Sequence, residues 1–273
     1  MRLFFLVTLL VVLGYICIPP KKNFLNQVTS TLKARPEWET DLTSPLSPLV
    51  DQILNQKFSY LARGTQSYAF ISEDQKYVLK FIKMNHVTPR RITEKLNRIK
   101  REKKETKLQQ MFGALHYAYH HFKEETGIVF LHLNCTPHWN KKVSLVGKDG
   151  ENIVLSLDNS CFILQEKAEL LYTCLGRLIE NNQMEAAKER IRSFLSLIQK
   201  RGSLGLFDHD KSISNNFGFL NDRPIQLDVA GLYQAPLDPQ AEVARVGLRI
   251  RNRIEERFPQ FLPHYLEVWH EFQ

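Results

Sequence analysis

From Lys57 to Met84 the apolar and polar positions alternate in three short runs, KFSYLARG, QSYAFIS and KYVLKFIKM, the last two separated by the polar turn Glu73-Asp74-Gln75. Alternation rich in aromatic and branched residues predicts an antiparallel meander. Residues 91 to about 123 change to a helical period. Ile92, Leu96 and Ile99 share one face, and Phe112, Leu115, Tyr119 and Phe122 share another, rotated by roughly half a turn at 100° per residue. The helix is therefore expected to break near Lys103 to Lys107 or to bury two faces, with Pro89 marking its start and Gly127 its stop. GIVFLHLN, KVSLVGKDGENIVLSL and SCFILQEKAEL read as further strands, with KDGEN a hairpin turn. Residues 184 to 200 form an amphipathic helix with Ala187, Ile191, Phe194, Leu195 and Ile198 on one face and Arg201-Gly202 at its end. Residues 238 to 257 read as a basic helix, and PQFLPHYLEVWHEF closes the chain. Strands first and helices later predict an α+β protein with two lobes.

The ends and the composition refine this. The opening segment MRLFFLVTLLVVLGYICIPPKK is apolar from Leu3 to Ile18, between Arg2 and Lys21-Lys22. Residues 3–18 are expected to be an uncleaved membrane anchor, with the heavier positive flank placing the main domain in the cytoplasm. Secretion through a cleaved signal is the alternative. Residues 23–56, with Pro36, Pro45 and Pro48, read as a linker that packs partly on the domain, which puts the main folded part at 57–273. The chain has 273 residues, 43% of them hydrophobic and 24% charged, enough for a sizeable core and not the profile of a disordered chain. A formal charge of +8 favours anionic partners such as phosphates without naming one. The four cysteines form no CxxC pair, and three lie beyond the apolar start, which argues against a disulfide framework.

The chemistry concentrates in GLFDHDKSISNNFGFLNDRPIQLDVAGL, residues 205 to 232. Asp210, Asn215 and Asp228 surround one turn and one short strand. A loop carboxylate can accept a hydroxyl proton. An asparagine oxygen and a second carboxylate are hard ligands suited to magnesium, as phosphoryl transfer requires. Upstream, Lys80 sits among apolar neighbours in YVLKFIK, which asks for a partner for its ammonium. The turn Ala62-Arg63-Gly64-Thr65-Gln66-Ser67 has small residues that let a backbone approach a phosphate.

Over about residues 57 to 232 the chain resembles the protein-kinase-like superfamily. LARGTQSYAF is similar to its glycine-rich loop, with Gly64 kept and Ala62 and Ser67 in the flanking glycine places. VLKF resembles the VAIK strand, DHDKSISN the catalytic loop, and LDVAGL the DFG segment. The resemblance implies a bilobal kinase-like fold: an antiparallel-sheet N-lobe over residues 57–168 and a small, mainly helical C-lobe over 169–273, preceded by the N-terminal apolar helix. It implies ATP and Mg2+ as cofactors, Asp210 as base, Asn215 and Asp228 as metal ligands, and Gly64 and Lys80 at the nucleotide phosphates. A glutamate of the long helix, Glu105 or Glu102 with Glu105 preferred, would pair with Lys80. FILQEKA, with Glu166 and Lys167, would be the hinge that meets adenine through backbone groups. The departures are DHD for HRD, DVA for DFG and the absence of an APE segment, with 45 residues left after Asp228. They point toward the small-molecule or lipopolysaccharide kinases of the superfamily.

The expected function is thus a membrane-associated, ATP-dependent phosphotransferase acting on a hydroxyl acceptor. One alternative is an inactive pseudokinase serving as a scaffold. Another is a basic module that binds membrane or nucleic acid through PRRITEKLNRIKREKKETK, although a solvated helix face is the preferred reading of that run and no nucleic-acid partner is expected. His116, His120, His121, His132, Cys135 and His138 lack the tight paired spacing of a zinc site and read as structural. GxxxxGK[ST], HExxH and GxSxG are absent, which sets aside the commonest P-loop, zinc-protease and serine-hydrolase readings.

Overall fold

A computed structural model describes residues 24–40, 46–89, 97–210 and 212–273. The alternating runs become β1 (Lys57–Arg63), β2 (Ser67–Ser72) and β3 (Tyr77–Ile82), paired antiparallel. With β4 (Ile128–His132), β5 (Lys142–Val146), β6 (Asn152–Ser156) and β7 (Phe162–Glu166) they form one seven-stranded sheet in the order β4-β7-β3-β2-β1-β5-β6. The sheet is mixed, because β1 and β5 run parallel.

Each sheet face has its own core. One buries Phe58, Phe70, Phe81 and Phe162 together with Val28, Val50, Ile53 and Leu54. The last four come from residues 23–56, the expected linker, which packs into the core rather than only against it. Helices α1 (Phe24–Val28) and α2 (Pro48–Leu54) pack on the sheet, and Trp38, 2% exposed, stacks edge-on against Phe112. Apolar side chains in this segment find partners, so prolines that suggested a tether instead set short helix starts, as Pro48 does after the Ser47 cap. The other face carries helix α3 (Arg98–His121), whose buried side chains begin only at Leu108. The helix neither breaks at Lys103 to Lys107 nor buries a second face there. Ile99 is 76% exposed, and Arg98 pairs with Glu102 along the solvated first turns. Ile92 and Leu96 lie outside the described residues.

The second lobe is mainly helical. Helices α4 (Leu171–Glu180), α5 (Met184–Ser203), α6 (Pro239–Arg257) and α7 (Leu262–His270) surround a shared core. Helix α4 is an element the alternation argument passed over. Helix α5 runs past Arg201-Gly202 and stops before Gly205, which takes φ +69°. Short strands carry the loops of interest: β8 (Glu169–Leu170), β10 (Phe217–Leu220) and β11 (Arg223–Gln226) form one sheet, and β9 (Leu206–Asp208) pairs with β12 (Leu232–Gln234). The bilobal α+β arrangement agrees with the expectation.

The membrane expectation does not stand. Among the described residues no helix is long and apolar enough to cross a membrane. The long helices α3, α5 and α6 all carry many charged residues, α3 most densely from Arg98 to Lys107. Residues 3–18 and the N-terminal apolar helix proposed there lie outside the described residues. The described residues thus lend no support to a membrane-anchored protein with a membrane partner and a single-span location, and that expectation is not carried further. Cys135, Cys161 and Cys174 are free thiols.

Candidate functional site

Two strand ends and one sheet residue build the site. Lys80 lies mid-strand in β3, opposite Ala69 of β2 and Ile163 of β7. Its ammonium reaches into the other lobe and donates to the Leu227 carbonyl at 2.9 Å. Burial pushes its pKa down, and the neighbouring Asp228 pulls it back up. Gln165 braces the same point, donating to Thr126 O at 2.6 Å and to Leu227 O at 3.3 Å.

Asp228 follows β11, its side chain exposed, with Oδ1 accepting from Ala230 N at 3.1 Å. The β10–β11 ladder pairs Phe217 with Gln226, and Leu227 N donates to Asn216 O at 2.7 Å. Exposed Asn215 lies two residues before β10, in the turn that leads into that strand. Asn216, its neighbour, is buried, and its Nδ2 has no partner among the described residues. Asp210 is exposed beside them and accepts from Ser212 N at 2.8 Å.

Behind these groups lies a buried polar network the sequence reading missed. Asp208 accepts from Asp210 N at 2.8 Å and from Gln226 Nε2 at 2.8 Å. Gln226, 0% exposed, also donates to Asp228 O at 3.0 Å and accepts from Arg201 at 2.9 Å. Arg201, 1% exposed, donates to Glu242 at 2.5 Å, and Glu242 takes two more bonds from Arg245 at 2.6 and 2.7 Å. One glutamine therefore ties Asp208 to Asp228, and Asp208 ties itself to Asp210. Burial pushes the Asp208 carboxyl up to about 6, with the charges of Asp228 and Asp210 adding to the rise and Arg201 opposing it. Burial lowers Arg201 in turn. Gly231 closes the arrangement. A Cβ there would lie 2.8 Å from Asp208 Oδ1, so any larger residue would displace that carboxylate. The sole sequence signal for this network was an arginine near the end of an otherwise apolar helix face.

The remaining expected site residues are placed as follows. Gly64 sits in the β1–β2 turn, its N–H donating to Ser67 O at 3.0 Å. Glu105 does not meet Lys80; it pairs with Arg35 at 2.8 Å on the exposed side of α3. Glu102 is taken by Arg98. Residue 35 belongs to the segment read as a linker, so its competition for Glu105 was invisible in the sequence. The N–H groups of Glu166 and Lys167, the expected hinge, are both used internally, by Gly127 O at 2.9 Å and Lys76 O at 2.8 Å.

Among the described residues no cluster of three or more His, Cys, Asp or Glu side chains forms a metal cage. The exposed oxygens of Asp228 and Asn215 nonetheless suit magnesium, which takes one or two protein ligands and completes its shell with phosphate and water. His132 is held inside the fold by Ser160 O at 2.7 Å and Thr136 Oγ1 at 3.1 Å.

No protein-family model matches the chain, and no curated protein matches its sequence. Solved structures with distant similarity include the ROP18 kinase domain in complex with AMP-PNP and sucrose, at 12% identity and TM-score 0.38, covering 64% of this chain and 51% of that one. The Rv3197–erythromycin complex from Mycobacterium tuberculosis has 14% identity and TM-score 0.35, covering 78% of this chain and 55% of that one. The bifunctional kinase-methyltransferase WbdD has 13% identity and TM-score 0.34, covering 74% of this chain and 42% of that one. The chain thus spans about half the length of the structures it is similar to.

Proposed function

We propose that the chain is a kinase-like phosphotransferase that holds ATP and magnesium between its sheet and its helical lobe and moves the terminal phosphoryl group to a hydroxyl acceptor. The observation that carries this reading is the meeting of Lys80 with Leu227 and Asp228. A sheet lysine reaches across to a segment that also carries an exposed carboxylate, and Asp210 is tied to that segment through Asp208 and Gln226. Lys80 would leave the Leu227 carbonyl for the nucleotide phosphates. Asp228 and Asn215 would hold magnesium, which supplies neutralisation of charge on the phosphate oxygens. The Asp210 carboxylate would accept the acceptor's proton as its oxygen bonds to phosphorus. Membrane attachment forms no part of this reading.

Thermal unfolding of the full chain with ATP, with and without magnesium, is the test. A ligand at about 100 times its Kd stabilises a fold by roughly 2.7 kcal/mol. A magnesium-dependent shift is expected in the wild type and in Asp210→Ala, and its loss in Asp228→Asn. Turnover is expected to vanish in Asp210→Ala. Absence of any shift at millimolar ATP in the folded wild type refutes the reading.

A second reading, a nucleotide-binding scaffold without turnover, is favoured by two observations. Arg35 engages Glu105 in place of Lys80, and the Glu166 and Lys167 N–H groups are already bonded. It predicts the same ATP shift with no phosphoryl transfer.

A further inference from the structure

Three residues beyond Lys80 stands a second lysine. Lys83 is 3% exposed, which is rare for this residue type. Lys80 is in register with Ala69, and Phe81 with Tyr68. Cross-strand partners share a face and successive residues alternate, so Tyr68 and Lys80 lie on opposite faces of the sheet. The Lys83 ammonium lies over the Tyr68 ring, 4.5 Å from its centroid, and so on the face turned away from Lys80.

From there Lys83 gathers the β1–β2 turn. Its ammonium donates to the Gly64 carbonyl and, at 3.4 Å, to that of Thr65. Its main-chain N–H donates to Gln66 O at 2.8 Å. In a planar trans peptide the N–H points opposite to the C=O. Drawing the Gly64 and Thr65 carbonyls toward Lys83 therefore turns the N–H groups of Thr65 and Gln66 toward the face that carries Lys80. Neither N–H has a backbone partner among the described residues. Successive N–H groups on one side of a turn make a concavity suited to an anion.

We propose that Lys83 is the positioning residue of this turn, holding it so that the Thr65 and Gln66 N–H groups face a phosphate in the cleft. The proposal rests on the nucleotide reading of that cleft. It explains how a turn with Ala62 and Ser67 in place of flanking glycines keeps a phosphate-facing conformation: a lysine imposes it from behind. The ammonium carries a cost consistent with such a role. Burial, and then the nearby Arg63 of β1, lower its pKa to about 8. Tyr68 of β2 supplies only a ring face, and no carboxylate pairs with Lys83 among the described residues. A buried cation without a carboxylate is a poor packing element, since an apolar residue of similar shape fills the space without the desolvation penalty.

The test uses the full chain and two variants. Lys83→Met keeps the stem and removes the donors, and Lys83→Arg keeps a cationic donor. Hydrogen exchange is read at the Gly64 amide, which is bonded to Ser67 O, and the Kd for ATP with magnesium is read by calorimetry. Lys83→Met is expected to exchange Gly64 faster and to bind ATP roughly tenfold more weakly, the equivalent of one lost charged contact, while melting no lower than the wild type. Lys83→Arg is expected to recover both readouts toward wild type. Unchanged exchange and affinity in Lys83→Met overturn the proposal. Weaker ATP binding with unchanged Gly64 exchange also overturns it, because the lysine then acts on phosphate directly. A wild type that binds no ATP refutes the proposed function instead. The Gly64 exchange then decides alone, faster exchange in Lys83→Met supporting the hold on the turn and unchanged exchange overturning it.

Discussion

Arg201→Met separates the buried network from the packing around it. Methionine retains an unbranched stem of similar reach, so the change removes charge and hydrogen bonds more than volume. It orphans the Gln226 Oε1 acceptor, now 2.9 Å from the guanidinium, and strips Asp208 of the cation 3.8 Å away. Glu242 keeps both bonds from Arg245. Removing one partner of a buried ion pair costs about 3–5 kcal/mol, and the surviving Arg245–Glu242 pair puts this case at about 3 kcal/mol. At roughly 2–4 °C per kcal/mol for a chain of this size, Tm should fall by about 6–12 °C. The deficit should also depend on pH. The Asp208 carboxyl has a folded pKa of about 6 against an ordinary value of 3.8. Between those values the folded protein holds the proton more tightly than the unfolded chain, so the contribution of Asp208 to stability falls as pH rises through that window. Without Arg201 the carboxyl titrates higher still. The window then extends upward, and the deficit of the variant should be larger near pH 8 than near pH 5. Urea unfolding at both pH values, with m unchanged, measures it. A deficit under about 1 kcal/mol near pH 8, where a buried pair is expected to cost several times more, refutes the argument. So does a deficit that grows toward acid.

Two further outcomes test the packing and the titration of the fold. In Gly247→Ala the new methyl would sit 1.5 Å from Trp269 Cζ3, and Tyr265 ties the same residue by a 2.7 Å bond to Gly247 O, so α6 cannot retreat freely. A loss of about 3 kcal/mol or more is expected in chemical denaturation, partly recovered by adding Trp269→Leu, and a neutral result contradicts the helix packing. His132, 3% exposed, has its pKa lowered from 6.5 to about 4 by burial, so its neutral form contributes stability that is present above 6.5 and lost as pH falls through 4. The loss across that window should be about 3 kcal/mol, at 1.36 kcal/mol per pKa unit, and His132→Gln should flatten that part of the stability–pH curve.

The elements that alternate strictly were legible from the chain, and those that depend on a distant partner were not. SYAFIS and YVLKFI read as strands because each places apolar residues on a period of two, and the structure pairs them in register from Ser67–Ile82 to Ile71–Val78. Helix α3 misled because Ile92, Leu96 and Ile99 suggest a buried stripe, yet Ile99 is exposed among the described residues. Periodicity reports a face that can be buried, and tertiary contact decides whether it is. Residues 24–56 misled in the opposite direction: Trp38, Val50 and Leu54 are too few and too spread to show a period, but each meets a waiting apolar surface. At the site, the order and spacing of Lys80, Asp210, Asn215 and Asp228 were visible in the letters. The partner of Lys80 was not, because Arg35 claims Glu105 across 70 positions of sequence. Arg201, Asp208 and Gln226 escaped for a related reason. Each looks like a surface polar residue until three separate elements fold around it.

Lys80 and Lys83 show why burial alone is a poor guide to role. Both are lysines whose pKa is lowered chiefly by burial, and they stand three residues apart on opposite faces of one sheet. Desolvation acts on both in the same direction, so the difference lies in what each ammonium touches. Lys80 faces a carboxylate that partly restores its charge and, in the proposed function, exchanges the Leu227 carbonyl for a nucleotide phosphate, and it sits where two lobes meet. Lys83 faces carbonyls of a turn and an aromatic ring, with Arg63 opposing its charge, and it is sealed from the cleft by the sheet itself. An ammonium that can trade partners is suited to holding a substrate. One locked onto main-chain carbonyls is suited to holding the chain. If both hold, the two costly cations act on one phosphate from opposite sides of the same turn, Lys80 by contact and Lys83 through the peptide groups it orients.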